Sequence, residues 1–263
     1  MSFIHLRTSS AFSLKYGTTQ PRDLVERAAQ FESPALALTD RDGLSGAIRF
    51  ASACLEFGIA PIIGVNLAID LLADPNIKSA PAKDLPRVTI LAHGDGGWRA
   101  LVRLLSGLNM NAADRTPILT LDFLQRFSQY STQLHLLHGP ESPVSQALTL
   151  HRSDIALDIF NKTRSLFDDH AIDCVSHLVA GNGPFSTGHA ARSLIFARDH
   201  DIDAVITNAV RMRDGADGPV ADILDCARQL VPLHQRHLER RNAEGYLKSN
   251  DQMVSLAAEI ARA

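Results

Sequence analysis

What most constrains this chain is an alternation of short apolar runs with longer stretches of helical periodicity, repeated about seven times. The runs are "FIHLRT" (3–8), "ALALTD" (35–40), "APIIGVNLAI" (60–69), "RVTILAH" (87–93), "LHLLHG" (134–139), "CVSHLVA" (174–180) and "AVITNA" (204–209). Most are apolar at consecutive positions, as strands covered on both faces require. Between them, "QPRDLVERAAQF" has Pro21 in its first turn and sets Leu24, Ala28 and Phe31 on one face. "DGLSGAIRFASACLEFG" closes on Gly58, a C-capping residue just before the next strand. "GGWRALVRLLSGLN" and "TGHAARSLIFARDHDID" read the same way. The alternation predicts an α/β fold: a parallel sheet, closed or nearly so, with helices outside.

Two segments break the rhythm and are predicted as loops, residues 71–86 ("LLADPNIKSAPAKDLP") and 109–120 ("NMNAADRTPILT"). From 215 onward the chain reads as helical apart from "HQRHLERRNAEGYLKSN", and no internal repeat is visible. The 263 residues suit one barrel domain of about 250 residues, so residues 1–263 are expected to form a single domain. The final "LAAEIARA" is helical without a capping glycine, which raises the expectation of a longer parent chain.

Hydrophobic residues make up 45% of the chain, enough for a sizeable core. A net charge of −3 offers no global attraction to nucleic acid. Cys54, Cys174 and Cys226 are odd in number and far apart, so buried thiols in a reducing cytosol are expected rather than a zinc site or disulfide framework. Neither a secretory leader nor a membrane-length apolar run is present, and a cytoplasmic protein without membrane contact is expected.

In a parallel barrel, side chains at the C-terminal strand ends converge on one mouth, where chemistry sits. Those ends offer Arg7, Ser9 and Ser10, then Asp40, Arg41 and Asp42, then Asn66, His177, Asn208 and Arg211. A hydrolytic metal site needs several neutral imidazoles or carboxylates. Asp40 and Asp42 qualify, but the accompanying guanidiniums neither deprotonate nor coordinate. An ion-pair cluster is therefore expected in preference to a metal centre.

Six stretches, in order, resemble motifs of one family. They are "HLRTSSAFSLKYG", "ALALTDRDGLSGAIRF", "GIAPIIGVNLAI", "RVTILAHGDGGWRALVRLLS", "AVITNAVRM" and "GYLKSNDQM". The family is PHP (polymerase and histidinol phosphatase), in the form found at the N-terminus of bacterial C-family DNA polymerases, the DNA polymerase III alpha subunits of replicative or error-prone type. The resemblance implies a distorted seven-stranded (β/α)7 barrel whose relatives hold a cluster of metal ions for phosphoester or exonuclease chemistry. Where those relatives place ligands, this chain has Arg7, Ser9, Tyr16, Arg41, Asn66, Arg87, Ala209 and Arg211. None of the eight is a metal-binding residue of the family's type.

The resemblance thus implies no catalytic residue, no bound metal and no cofactor. It suggests instead an ion-pair or anion-binding cluster of Arg7, Asp40, Arg41, Asp42, Arg87 and Arg211. The expected role is a silent scaffold at the front of a DNA-directed DNA polymerase, a nucleotidyltransferase whose catalytic aspartates lie downstream. Its partners would be the rest of that chain, DNA reached through it, and a proofreading exonuclease docked on the surface. Two alternatives stand beside this reading. One is a residual metal-dependent phosphoesterase or 3′–5′ exonuclease using Asp40, Asp42 and nearby histidines; the other is a phosphate-binding module.

Plainer roles are expected for several residues. Asp40 is read as a structural partner of the arginines, and Asp42 as a helix cap or Asx turn. His5, His135, His138 and His177 are read as core or rim residues, and Trp98 as packing. Residues 138–148, "HGPESPVSQAL", are read as a turn into a helix. Arg236, Arg240, Arg241 and Lys248, with Tyr246 among them, are read as a solvated face as readily as a phosphate contact.

Overall fold

Strand parity decides which residues of this chain meet solvent, helix or cavity, because successive side chains point to opposite faces of a sheet. The structure, a computed structural model, describes residues 2–71, 85–112, 116–128, 133–167, 169–237 and 240–263. In chain order the elements are α1 (Pro21–Gln30), β1 (Ala35–Arg41), α2 (Ala47–Phe57), β2 (Ala60–Asp70), β3 (Arg87–Ala92) and α3 (Gly94–Asn111). They continue with β4 (Ile118–Thr120), α4 (Leu121–Phe127), β5 (Leu134–His138), α5 (Pro143–Thr149), α6 (Ser153–Arg164) and β6 (Asp169–Val175). The last are α7 (Thr187–Asp199), β7 (Ala204–Thr207), α8 (Gly218–Gln229) and α9 (Asn250–Arg262).

The strands form one curled sheet in the order β1-β2-β3-β5-β6-β7, with β4 paired to β2 off that path. Residues 5–9 bridge its two ends. On one side the Ala37 amide donates to the His5 carbonyl at 2.9 Å and the Thr39 amide to the Thr8 carbonyl at 2.7 Å. On the other, the Val210 amide donates to the Arg7 carbonyl at 2.9 Å and the Ser9 amide to the Val210 carbonyl at 2.8 Å. The first apolar run is thus a closing segment rather than a full strand.

Outward positions are large and apolar. Leu36 and Leu38 pack with Leu24, Phe50 and Cys54 beneath α1 and α2. Val65, Leu67, Ile90, Leu134 and Leu136 pack against Leu101 and Leu104 of α3. Ile172, Cys174 and Phe160 join Met253, Leu256 and Ile260 of α9. Each such side chain, fully buried, is worth about 1.5–3 kcal/mol. Inward, Ala37, Leu91, Leu137 and Ala171 form one internal layer, with Leu6, Ile62 and Val205 against it. The next inward positions toward the mouth are polar.

Three expectations need correction. The sheet is mixed, since β3 runs antiparallel to both β2 and β5. A strand becomes parallel to its predecessor only through a crossover, commonly helical, and the segment before β3 reads as a Pro-, Ala- and Lys-rich loop; its residues 72–84 lie outside the described residues. The sixth strand spans Asp169–Val175 rather than 174–180, because inward Asp173 interrupts the apolar run that would have marked it. The second predicted loop contains β4, a three-residue strand on the end of β2. The described residues include no helix long and apolar enough to cross a membrane.

Candidate functional site

In β1, outward Leu36 and Leu38 leave Ala37, Thr39 and Arg41 facing inward; in β2 the inward set includes Asn66 and Ala68, and in β3 it begins at Arg87, opposite Ala68. Register then brings these together, with Arg41 beside Asn66 and Asn66 opposite Thr89. The Arg87 Nε donates to Asn66 Oδ1 at 2.6 Å and its Nη2 to the Asn66 carbonyl at 2.8 Å. The Asn66 amide donates to Thr89 Oγ1 at 3.1 Å. Arg87 also pairs with Asp42 at 2.6 Å.

Glu141 is the hub of the cluster. It precedes Ser142, whose hydroxyl caps α5 by accepting from the Ser145 amide, so the turn after β5 aims its carboxylate into the mouth. There it accepts from Arg7 and, at 2.8 Å, from Arg41. Arg7 also reaches Asp173 of β6 at 3.5 Å. It passes over Gly139, where a Cβ would lie 2.5 Å from its Nη1 and 3.0 Å from Asp173 Oδ2. A side chain at position 139 would therefore break this arrangement.

A second group lies alongside. Arg211 donates to both oxygens of Asp225, at 3.0 and 2.9 Å, and to the Tyr16 carbonyl at 2.9 Å. Arg228 adds a third bond to Asp225 at 3.0 Å. The Tyr16 ring is contacted by two guanidiniums, with Arg41 Cζ 3.4 Å and Arg211 Cζ 4.2 Å from its centroid. It thereby links the two groups. Replacing Tyr16 with leucine, which keeps bulk but removes the quadrupole, should cost about 1 kcal/mol, and alanine about 2–3 kcal/mol for a partly buried ring. Urea unfolding of the two variants measures each loss, and a leucine variant as stable as the parent would refute the cation–π contribution.

Burial raises the pKa of Glu141, but Arg41, Arg7 and Arg87 outweigh it and hold the carboxyl at about 2. Burial also raises that of Asp173, against the pull of Arg7 and the Thr207 hydroxyl.

Asp40 corrects one expectation. It was expected among the arginines, yet it occupies the outward parity of Leu36 and Leu38. Its carboxylate accepts from the Ser10 amide at 2.6 Å, the Ser10 hydroxyl at 2.9 Å and the Ser13 hydroxyl at 2.7 Å. Burial raises its pKa, opposed by these hydrogen bonds. Asp42, expected in the ion-pair cluster and also as a cap, pairs with Arg87 in the cluster but caps no helix: the N-cap of α2 is Gly46, without a side-chain bond.

The remaining positions are structural in their contacts. Ser9 is buried and tied through its backbone to Val210. Ala209 is buried with φ 42°. Asn208 donates to the carbonyls of Glu244 and Tyr246, both at 2.7 Å, and so fixes the C-terminal segment. His177 Nε2 lies 2.8 Å from the Asn208 carbonyl, with burial lowering its pKa to about 4. His5 contacts the Lys248 carbonyl at 2.9 Å and is also lowered by burial to about 4. His138 stacks on His170 outside the sheet, lowered by burial to about 3, while His135 pairs with Asp169 on the rim. In the basic stretch, Arg240 pairs with Asp222 and Lys248 with Glu244.

The partners Glu141, Asp173 and Asp225 are not among the site residues expected from sequence. Asp173 carried a signal, a lone carboxylate between the apolar positions of "AIDCV". Glu141 stood in a segment read only as a turn. Among the described residues no group of three or more His, Cys, Asp or Glu is placed to hold a metal ion.

Comparison with known proteins gives three findings. The family model described as PHP domain matches residues 5–177. The error-prone DNA polymerase of Mycolicibacterium paratuberculosis is 34% identical over 149 residues, 56% of this chain and 13% of that protein. The DNA polymerase III subunit alpha of Escherichia coli is 27% identical over 267 residues, 99% of this chain and 22% of that protein. The chain thus spans at most 22% of the length of these two relatives, whose matched segments are parts of larger DNA polymerase chains. A solved amidohydrolase from Chromobacterium violaceum, with bound sulfate and no metal, superposes with a TM-score of 0.49 at 16% identity, over 80% of this chain and 87% of that one.

Proposed function

Since the chain belongs to the PHP domain family, whose model it matches over residues 5–177, we propose that it serves a DNA polymerase as a metal-free structural domain. The observation that carries this reading is the occupation of the mouth by paired charge. Arg7, Arg41, Arg87 and Arg211 each contact a carboxylate, from Glu141, Asp173, Asp42 or Asp225.

A metal cluster would supply a bound hydroxide and clamp phosphate oxygens. The residues here do not fit one. Guanidiniums repel cations, the nearby carboxylates already accept from arginine, and the Tyr16 ring lies between two of the arginines. The same pairing argues against a phosphate-binding module, because the arginines that would receive the anion are already neutralised. In this reading the domain stabilises the larger chain, reaches DNA only through it, and offers surface to a proofreading exonuclease.

The purified chain is expected to carry no stoichiometric zinc, manganese or iron. Its unfolding midpoint should stay within about 1 °C on addition of chelator, since a metal bound only to the native state would shift it through linkage. DNA with a free 3′ end should remain intact with manganese or zinc added. Trimming abolished by chelator, or one bound ion per chain, would overturn the proposal.

A further inference from the structure

Helix α8 is inside out. Its buried positions include Gly218, Ala221, Asp222, Asp225 and Cys226, so both of its aspartates point inward. Asp222 meets Arg240 at 2.6 Å, while Asp225 meets Arg211 and Arg228. The opposite face carries Val220, 48% exposed, and Ile223, 55% exposed, followed by exposed Ala227. At spacings of three and four residues these form one stripe.

The stripe runs on into Leu230, which caps the helix at φ 59° with its side chain 86% exposed. Glycine is the usual residue at such a left-handed cap, because it has no Cβ to crowd the preceding turn. A leucine there carries backbone strain and an uncovered apolar side chain together, and neither helps the isolated domain. Leu233, 62% exposed, follows three residues further along the chain. Leu14, 83% exposed, flanks it on the loop whose Lys15 Nζ reaches the Ala227 carbonyl at 3.5 Å.

We propose that this face of α8 is where the domain docks against an apolar surface of the polymerase body, the part of a DNA polymerase beyond the segment matched here. The inference rests on the scaffold reading above and adds the surface through which the scaffold acts. The length comparison favours this occupant over a second copy, since the segment of the Escherichia coli relative that matches this chain is 22% of a much longer polypeptide. The C-terminal helix offers no equal face, because Met253, Leu256 and Ile260 of α9 already pack into the core. A contiguous apolar stripe rimmed by polar residues is the usual mark of a protein-binding surface.

The test is site-specific photocrosslinking in the cells from which the chain derives. Benzoylphenylalanine is placed at Ile223 and, as a control on another face, at Leu150. Crosslinked peptides are then identified by mass spectrometry. Polymerase-body peptides captured from position 223 and not from 150 support the proposal. Polymerase-body peptides captured from position 150 instead would overturn this face and leave the scaffold reading intact. No polymerase peptide from either position overturns both. Peptides from a second copy, or from another protein, at position 223 overturn the docking assignment.

Leu230→Gly supplies an independent readout. Relief of the left-handed leucine should raise the unfolding midpoint of the purified chain by about 2 °C while reducing the yield from position 223 severalfold. A fall in midpoint would place Leu230 in its own domain's packing and refute its role in docking.

Discussion

Replacing Glu141 with glutamine is expected to lower the thermal midpoint by roughly 10 °C, at about 2–4 °C per kcal/mol for a domain of this size. Its carboxylate accepts from Arg7 and Arg41, whose side chains are only 7% and 15% exposed. Removing one member of a buried ion pair costs about 3–5 kcal/mol, because the remaining charge stays desolvated without a counterion. Glu141 itself keeps 26% exposure, which places the loss toward the lower end of that range. The pH dependence carries the sign. The folded carboxyl is held near 2, below its ordinary 4.5, so its contribution is complete above 4.5 and is lost as pH falls toward 2. The parent and Glu141→Gln should therefore differ most at neutral pH and converge toward pH 2. Calorimetry across that window is decisive: a variant within about 2 °C of the parent at pH 7 would show that Glu141 is not the hub.

The backbone plan was legible because burial on both faces leaves a mark in sequence. Runs such as "ALALTD" and "RVTILAH" became β1 and β3 within a residue or so of their expected ends. Strand direction left no such mark, since the antiparallel course of β3 depends on how the preceding connection turns. The start of β6 was hidden for a different reason. An inward polar residue, Asp173, serves the mouth and so breaks the apolar pattern by which a strand is recognised. Among site residues, the arginines at 7, 41, 87 and 211 were visible through their places in family motifs. Their carboxylate partners were not, because pairing across 134 positions from Arg7 to Glu141 is set by the curl of the sheet. Asp40 and Arg41 make the same point with adjacent residues. One step along a strand sends one side chain to the serines of residues 10–13 and the other into the mouth.

Asp225→Asn should be comparably destabilising, by about 3–5 kcal/mol, since it leaves Arg211 and Arg228 beside a neutral side chain. Asp225 is fully buried and accepts from both terminal nitrogens, Nη1 and Nη2, of the Arg211 guanidinium and from Arg228. Its loss should spread toward the mouth, because Arg211 also holds the Tyr16 carbonyl and stacks against the Tyr16 ring. Hydrogen exchange in residues 13–17 should therefore quicken together with exchange in α8. Asp222→Asn is the internal comparison. Its partner Arg240 is 22% exposed, so water can re-solvate it and the cost should be nearer 1 kcal/mol. The double variant Asp225→Leu with Arg211→Met distinguishes architecture from chemistry. If the pair only fills and neutralises the site, an apolar replacement of similar volume should recover most of the stability lost by Asp225→Asn, as buried pairs elsewhere allow. A double variant as unstable as Asp225→Asn would mean that the charges at this mouth have a role beyond holding the barrel together.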